Sequence, residues 1–199
     1  MRCATEKSDC QTLTMPFSAT ETQRPTRDDD RAAPQEAAPC VRLQGLLARD
    51  RPLHTAHLLR LTPEDRRARF NASMSDKAIA AYSRDLDWSR AWIFGAFVEG
   101  VLRGVGELVP NAAGDQAELA ISVERPFQHM GIGKMLSLAL VLVARRTGIG
   151  TIRILYVPGN DSMRALVRAL GARTHSDDGM IEGVFTVPPK PDDAPAAAG

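Results

Sequence analysis

Val123-Glu-Arg-Pro-Phe-Gln128-His-Met-Gly131-Ile-Gly133-Lys134 is the stretch on which the reading of this 199-residue chain turns. Before it, Ala117–Val123 alternates, with Leu119, Ile121 and Val123 on one face and Glu118, Ala120 and Ser122 on the other, as a half-buried strand does. After it, Met135–Ala144 is apolar except for Ser137, and Gly148 follows Thr147 as a C-cap. The stretch is therefore a turn that carries a strand into a long apolar helix. A helix start exposes unpaired N–H groups and the positive end of the dipole. Glycines there let an anion approach the backbone, and a diphosphate is the natural occupant.

The flanking elements extend this reading. Upstream, Trp92–Val98 and Leu102–Val109 form a hairpin on Glu99-Gly100, and Pro110–Asp115 is a loop. Thr62-Pro-Glu-Asp65 opens a helix to about Phe70. Ser75 opens another, with Ala78, Ile79, Tyr82 and Leu86 at helical spacing. His57–Leu61 reads as a short strand. Downstream come a strand over Thr151–Val157 and a break at Pro158-Gly159. A helix capped by Asn160 or Asp161 then ends at Leu170 before Gly171, and a last hairpin pairs Ala172–His175 with Met180–Val187. Strands and helices are neither strictly alternating nor segregated. The expected fold class is therefore α/β (mixed α+β), a sheet covered by helices.

This places the domain at 54–187. Residues 1–53 lack either period, and Thr20–Ala38 has almost no large apolar side chain, so they are expected to be a disordered extension. A short helix around Val41–Arg51 is the local element considered there, and Met15 is an alternative start. Residues 188–199 are expected to be a Pro/Ala/Asp-rich disordered tail. Charge is 25 Lys+Arg against 24 Asp+Glu, or +1, which argues against a nucleic-acid binder working through a basic face. The longest apolar run is too short for the roughly 20 residues of a membrane span, and no secretory h-region is visible. Cys3, Cys10 and Cys40 are odd in number and confined to the N-terminal segment. The expectation is a reducing cytoplasm, no metal site and no membrane partner.

Three phosphate signatures compete for the turn. A phosphate-binding loop of the Walker type needs Gly at 128 and Ser or Thr at 135, where this chain has Gln128 and Met135. A dinucleotide fingerprint needs a third glycine and an early βαβ unit, and here antiparallel strands come first. The remaining pattern is Gln/Arg-x-x-Gly-x-Gly/Ala. With it, and with Val157-Pro-Gly-Asn160 and the closing Leu170-Gly171-Ala172, residues 57 to 187 resemble the GNAT superfamily of acyl-CoA-dependent N-acetyltransferases. That resemblance implies a central, mostly antiparallel sheet splayed between two parallel strands, with helices on both faces.

It also implies roles. Gln128, His129, Met130, Gly131, Ile132, Gly133 and Lys134 would wrap the diphosphate of acetyl-CoA, the co-substrate. The exposed backbone of Ile121, Ser122 and Val123 would pair with the pantetheine amides, and Asn160 would reach the pantetheine arm. The acceptor would be an amine, a protein lysine or a small molecule, acetylated by direct transfer. A lysine amine has a reference pKa of about 10.4, so a base must take its proton. Glu118 is the leading candidate and Glu107, on the neighbouring strand, the second. Similar proteins often carry a Tyr general acid seven residues after the Asn, where this chain has Val167. That departure keeps a second expectation alongside the enzyme, an acyl-CoA-binding regulatory module with little catalysis. A nucleotide-phosphate binder is a third. The protein is expected to be a monomer or homodimer. His54 and His57 flank a strand start with no carboxylate partner in view, Arg66-Arg67-Ala-Arg69 is taken as a solvated face, and His175 as surface. Tyr156 is taken as packed, and Trp88 and Trp92 as core in preference to acceptor-cleft lining.

Overall fold

A computed structural model describes residues 40–189. The order is β1 (Val41–Leu46), α1 (Arg51–Arg60), α2 (Pro63–Phe70), α3 (Asp76–Asp85), β2 (Trp92–Val98), β3 (Val101–Pro110) and β4 (Gln116–Val123). Then follow α4 (Ile132–Thr147), β5 (Thr151–Tyr156), α5 (Asp161–Leu170), β6 (Arg173–Asp177) and β7 (Met180–Thr186). The strands make one sheet in the order β1-β2-β3-β4-β5-β7-β6. Every neighbouring pair is antiparallel except β4 and β5, which run parallel.

From β2 onward the elements lie where the pattern puts them. Glu99 and Gly100 both have positive φ, 51° and 77°, the conformation a two-residue hairpin turn demands. Ser75 and Thr62 cap α3 and α2 through side-chain oxygens that accept the backbone N–H three residues on.

The N-terminal side differs from expectation. His57–Leu61 is not a strand. It closes α1, with Pro52 in the first helical turn and His54, His57 and Leu58 buried on one face. Five residues do not separate the two periods, and the 3-1-3 spacing from His54 through Leu61 is helical. The first strand is instead β1, within the segment taken as an extension, so the short helix considered over Val41–Arg51 is replaced by a strand and a single 3-10 turn at Ala48–Asp50. β1 covers the outer edge of β2, which would otherwise present unpaired backbone groups. Most of the expected extension and tail, with Cys3, Cys10 and Met15, lies outside the described residues. Cys40 is free and exposed.

The main core lies between α4 and one sheet face, where Leu136, Leu140 and Ala144 meet Leu108, Ala117, Leu119, Ile152 and Ile154. Close approach requires glycine on β3. A Cβ on Gly104 would stand 2.9 Å from Ile132 Cγ2, and one on Gly106 2.9 Å from Leu140 Cδ1. Tyr156 and Trp92 pack into or against this core, and Trp88 against the smaller cluster around Ile93 and Phe97. The opposite face carries α1, α2 and α3.

Candidate active site

β4 and β5 pair only over Gln116–Glu118 and Thr151–Arg153. β4 continues to Val123 and β5 to Tyr156, so the two strands part beyond Glu118. Glu124 N–H donates to Arg103 C=O at 2.9 Å. By strand alternation Ile121 and Val123 then turn their N–H groups away from β3, toward the gap. A cleft of about 490 Å³ opens there. Its walls include Ile121, Ser122 and Val123 of β4, Gln128, His129, Gly131, Ile132, Gly133 and Lys134 of the turn, and Asn160 ahead of α5. Ala68 and Arg69 of α2 and Met163 and Leu166 of α5 complete it. Ten of the eleven expected cofactor residues therefore meet in one cavity. Met130 does not line it and is 37% exposed.

The turn is built as a donor cradle. Gly131 is the N-cap of α4 with φ 79°, and His129 also lies in the left-handed region at 62°. The first backbone hydrogen bond of the helix runs from Met135 N–H to Gly131 C=O at 3.0 Å, so the N–H groups of Ile132, Gly133 and Lys134 precede the ladder. Among the described residues, the amides of His129, Met130 and Gly131 have no protein acceptor. A Cβ on Gly133 would meet only Ile121 Cγ2, at 3.9 Å. Adjacent unpaired amides at a helix N-terminus suit a diphosphate.

Two side chains do something other than expected. Gln128 Nε2 donates to Val123 C=O at 3.0 Å and to Asp65 Oδ1 at 3.2 Å, so it ties the turn to β4 and α2 and leaves anion binding to the backbone. Asn160 caps α5, its Oδ1 accepting Met163 N–H at 3.0 Å, and only its Nδ2 remains for a ligand.

The two candidate carboxylates lie in opposite settings. Glu118 is exposed at the apex of the split, in register with Arg153, on the face away from α4. It does not line the cleft. Glu107 is 1% exposed and fully engaged. Arg69 Nη2 donates to its Oε2 at 2.8 Å, His54 Nε2 lies 3.0 Å from its Oε1, and the Tyr82 hydroxyl donates to Oε2. Burial alone would lift this carboxyl, but the Arg69 guanidinium and the bonds from His54 and Tyr82 outweigh it and hold it down at about 2. The same burial, with the Glu107 charge, pushes the Tyr82 phenol up.

The histidines do have carboxylate partners. α1 carries both beneath the sheet. His54 bridges Glu107 to Ser83, whose Oγ lies 2.8 Å from Nδ1. His57 bridges Glu124 and Ser122, with Nδ1 3.3 Å from Glu124 Oε1 and Nε2 2.9 Å from Ser122 Oγ. Burial lowers the His57 pKa below its ordinary value, against the opposing pull of Glu124. Glu124 is fixed in turn by Arg60 Nε and Arg103 Nη1, each at 2.8 Å. Burial raises its carboxyl, but the bonds from His57, Arg103 and Arg60 bring it to about 2. Partners 53 and 67 residues apart left no local signal. The helical spacing of His54 and His57 with Leu58 was the one available clue. Arg69 is likewise no solvated charge, since it is 7% exposed against Glu107. His175 is exposed as expected, but pairs with Glu182 at 2.9 Å. Val167 is buried on the side of α5 that meets β7, where a Cβ on Gly183 would stand 2.8 Å from its Cγ1. Val167 itself does not line the cleft, although Met163 and Leu166 of the same helix do.

A model of the acetyltransferase (GNAT) family matches residues 56–172. An acetyltransferase of Pseudomonas aeruginosa is 28% identical over 137 residues, 66% of this chain and 74% of that protein. Among solved structures, the GNAT domain of the S. lividans protein PAT superposes with a TM-score of 0.63 at 21% identity, covering 73% of this chain and 90% of that one. The PaiA N-acetyltransferase of Thermoplasma acidophilum, solved in complex with coenzyme A, gives 0.57 at 18% identity over 74% and 99%. At these identities the two structures establish a shared fold.

Proposed function

Because the chain belongs to the GNAT acetyltransferase family, we propose that it carries an acetyl group from acetyl-CoA directly to an amine, with Glu118 as the general base. The observation that carries this reading is the split between β4 and β5 with a cradle of unpaired amides at its wide end. A diphosphate held by Gly131, Ile132, Gly133 and Lys134 directs the pantetheine arm along Ile121–Val123. The N–H groups of Ile121 and Val123 then meet its amides and polarise the thioester carbonyl. At about 3.4 Å per residue, Glu118 lies about 10 Å down the strand from Ile121, a span that its side chain and a bridging water cover. That the Thermoplasma neighbour was solved with coenzyme A bound supports an acyl-CoA as the ligand of this fold here.

Glu118 meets the needs of a base on an open surface. It is exposed, on the sheet face opposite α4, where an amine can approach without entering a tunnel. A lysine displayed on another protein fits that opening, and a small amine is the alternative acceptor. Glu107 suits an anchoring role, because its oxygens are occupied by Arg69, His54 and Tyr82. The near-neutral balance of 25 basic and 24 acidic residues favours a partner other than nucleic acid, and the odd cysteine count favours a reducing cytoplasm. Among the described residues no helix is long and apolar enough to cross a membrane.

One observation favours a second reading. With Val167 at the expected Tyr position and turned toward β7, α5 offers no phenol to the leaving thiolate, as in a module that binds acyl-CoA without turning it over. Release of free CoA thiol with a panel of lysine peptides and small amines separates the two. The expected result is amine-dependent release that falls about 10²–10⁴-fold in Glu118→Gln, the range for loss of a positioned base. Release that survives Glu118→Gln removes this mechanism, and binding without release in any amine supports the module.

A further inference from the structure

We propose that Ser122 is a nucleophile that accepts the acyl group from coenzyme A, with His57 as its base and Glu124 as the residue that positions His57. The inference rests on the cleft receiving an acyl-CoA, as proposed above. It adds an acyl-serine and an amine-independent thioester hydrolysis.

The geometry is that of a nucleophile, a base and an orienting acid in line. Ser122 Oγ lies 2.9 Å from His57 Nε2, and His57 Nδ1 lies 3.3 Å from Glu124 Oε1. Glu124 is itself clamped by Arg60 and Arg103, each at 2.8 Å, so it stays a carboxylate and accepts the Nδ1 proton. That leaves the Nε2 lone pair facing the serine hydroxyl. Burial favours the neutral form of His57, the form a base requires.

The fold holds a second constellation of the same composition, and the contrast is informative. Ser83, His54 and Glu107 are also hydrogen-bonded in line, but none of the three lines the cleft. Ser122 does line it, beside Ala68 and Arg69 of α2 on the same sheet face. The N–H groups of Ile121 and Val123, on either side of Ser122, face the gap where a carbonyl oxygen would gain charge.

The chemistry closes without further reagents. Ser122 Oγ attacks the thioester carbon while its proton passes to His57 Nε2. The C–S bond breaks and the thiolate takes that proton, giving O-acetyl-Ser122 and CoA thiol. Water then attacks the ester carbon, its proton passes to Nε2, the C–Oγ bond breaks, and Ser122 recovers its proton. With water the net products are acetate and CoA.

The test uses the full chain and acetyl-CoA with no amine present. After an acid quench and digestion, the expected finding is one acetyl group on the peptide carrying Ser122, with slow release of free thiol. Ser122→Ala should abolish both, and His57→Gln should slow acylation roughly 10²–10⁴-fold. Ser122→Cys should trap the group as a protein thioester, and it decides the matter if the alanine variant does not fold. Glu124→Gln should lower the rate and move its acid limb to lower pH, because the carboxylate that favours imidazolium is gone. A wild-type protein with neither acyl-serine nor amine-independent release, or release that persists in Ser122→Ala, overturns the proposal. Amine acetylation that continues under those outcomes leaves direct transfer standing, so the two readings fail separately.

Discussion

Glu107→Gln tests whether the carboxylate under the sheet holds the fold or takes a proton. In the folded protein its pKa is about 2 against an ordinary 4.5. At about 1.4 kcal/mol per pH unit, that depression is worth about 3 kcal/mol of folding free energy. Removing the charge also leaves Arg69, 7% exposed, without its counter-ion, and breaking one side of a buried pair costs about 3–5 kcal/mol. The two figures describe the same loss and agree on about 3 kcal/mol. For a domain of this size that lowers Tm by roughly 6–12 °C. Because the folded pKa is the depressed one, the stabilisation is complete above about pH 4.5 and disappears as pH falls toward 2. The gap between wild type and variant should therefore be widest at neutral pH and narrow on acidification. Urea unfolding followed by circular dichroism at pH 7, 5 and 3.5 measures it. A variant within about 0.5 kcal/mol of wild type at pH 7, the range of an ordinary surface change, refutes the anchoring argument. So does a gap that is constant with pH. A folded Glu107→Gln that has lost acetyl transfer assigns the proton to Glu107 instead of Glu118.

Gly133→Ala should fold within about 1 kcal/mol of wild type, since alanine is favoured inside a helix and its methyl meets only Ile121 at 3.9 Å. The methyl enters the amide cradle, so calorimetry should show CoA affinity reduced about tenfold or more, or about 1.4 kcal/mol. An unchanged affinity would mean the diphosphate lies elsewhere. Val167→Tyr should not restore a general acid. The larger side chain meets β7 at Gly183, and a thermal melt should report about 1–3 kcal/mol of destabilisation with no rise in CoA release.

Much of the fold from Trp92 onward was legible because its signals are local. Gly100 and Gly179 supply the positive φ that a tight turn needs, and Glu99-Gly100 and Asp178-Gly179 both make hairpin turns. Gly131, Gly148 and Gly171 punctuate α4 and α5 at the expected positions, all with φ between 73° and 82°. The turn was readable for the same reason, since an anion site made of backbone amides depends on where a helix begins. β1 and α1 were not. β1 is fixed by its pairing with β2, about fifty residues away, and five residues of α1 carry too few apolar positions to reveal a period. Arg69 resembled its solvated neighbours in sequence, and only the approach of α2 to β3 shows that it is buried.

Composition, periodicity and glycine placement thus determined by themselves that a strand enters an apolar helix through a donor-rich turn, within a mixed sheet. They act over a few residues, where φ, dipole and side-chain alternation are set by neighbours in the chain. What the tertiary structure decided is which side chains meet beneath that sheet. His54 with Glu107, and His57 with Ser122 and Glu124, are joined across 53 to 67 residues. Burial and charge pairing exist only once α1 lies against β3 and β4, so the ionisation of His57, Glu107 and Glu124 is a property of the fold and has no counterpart in any local stretch of the chain.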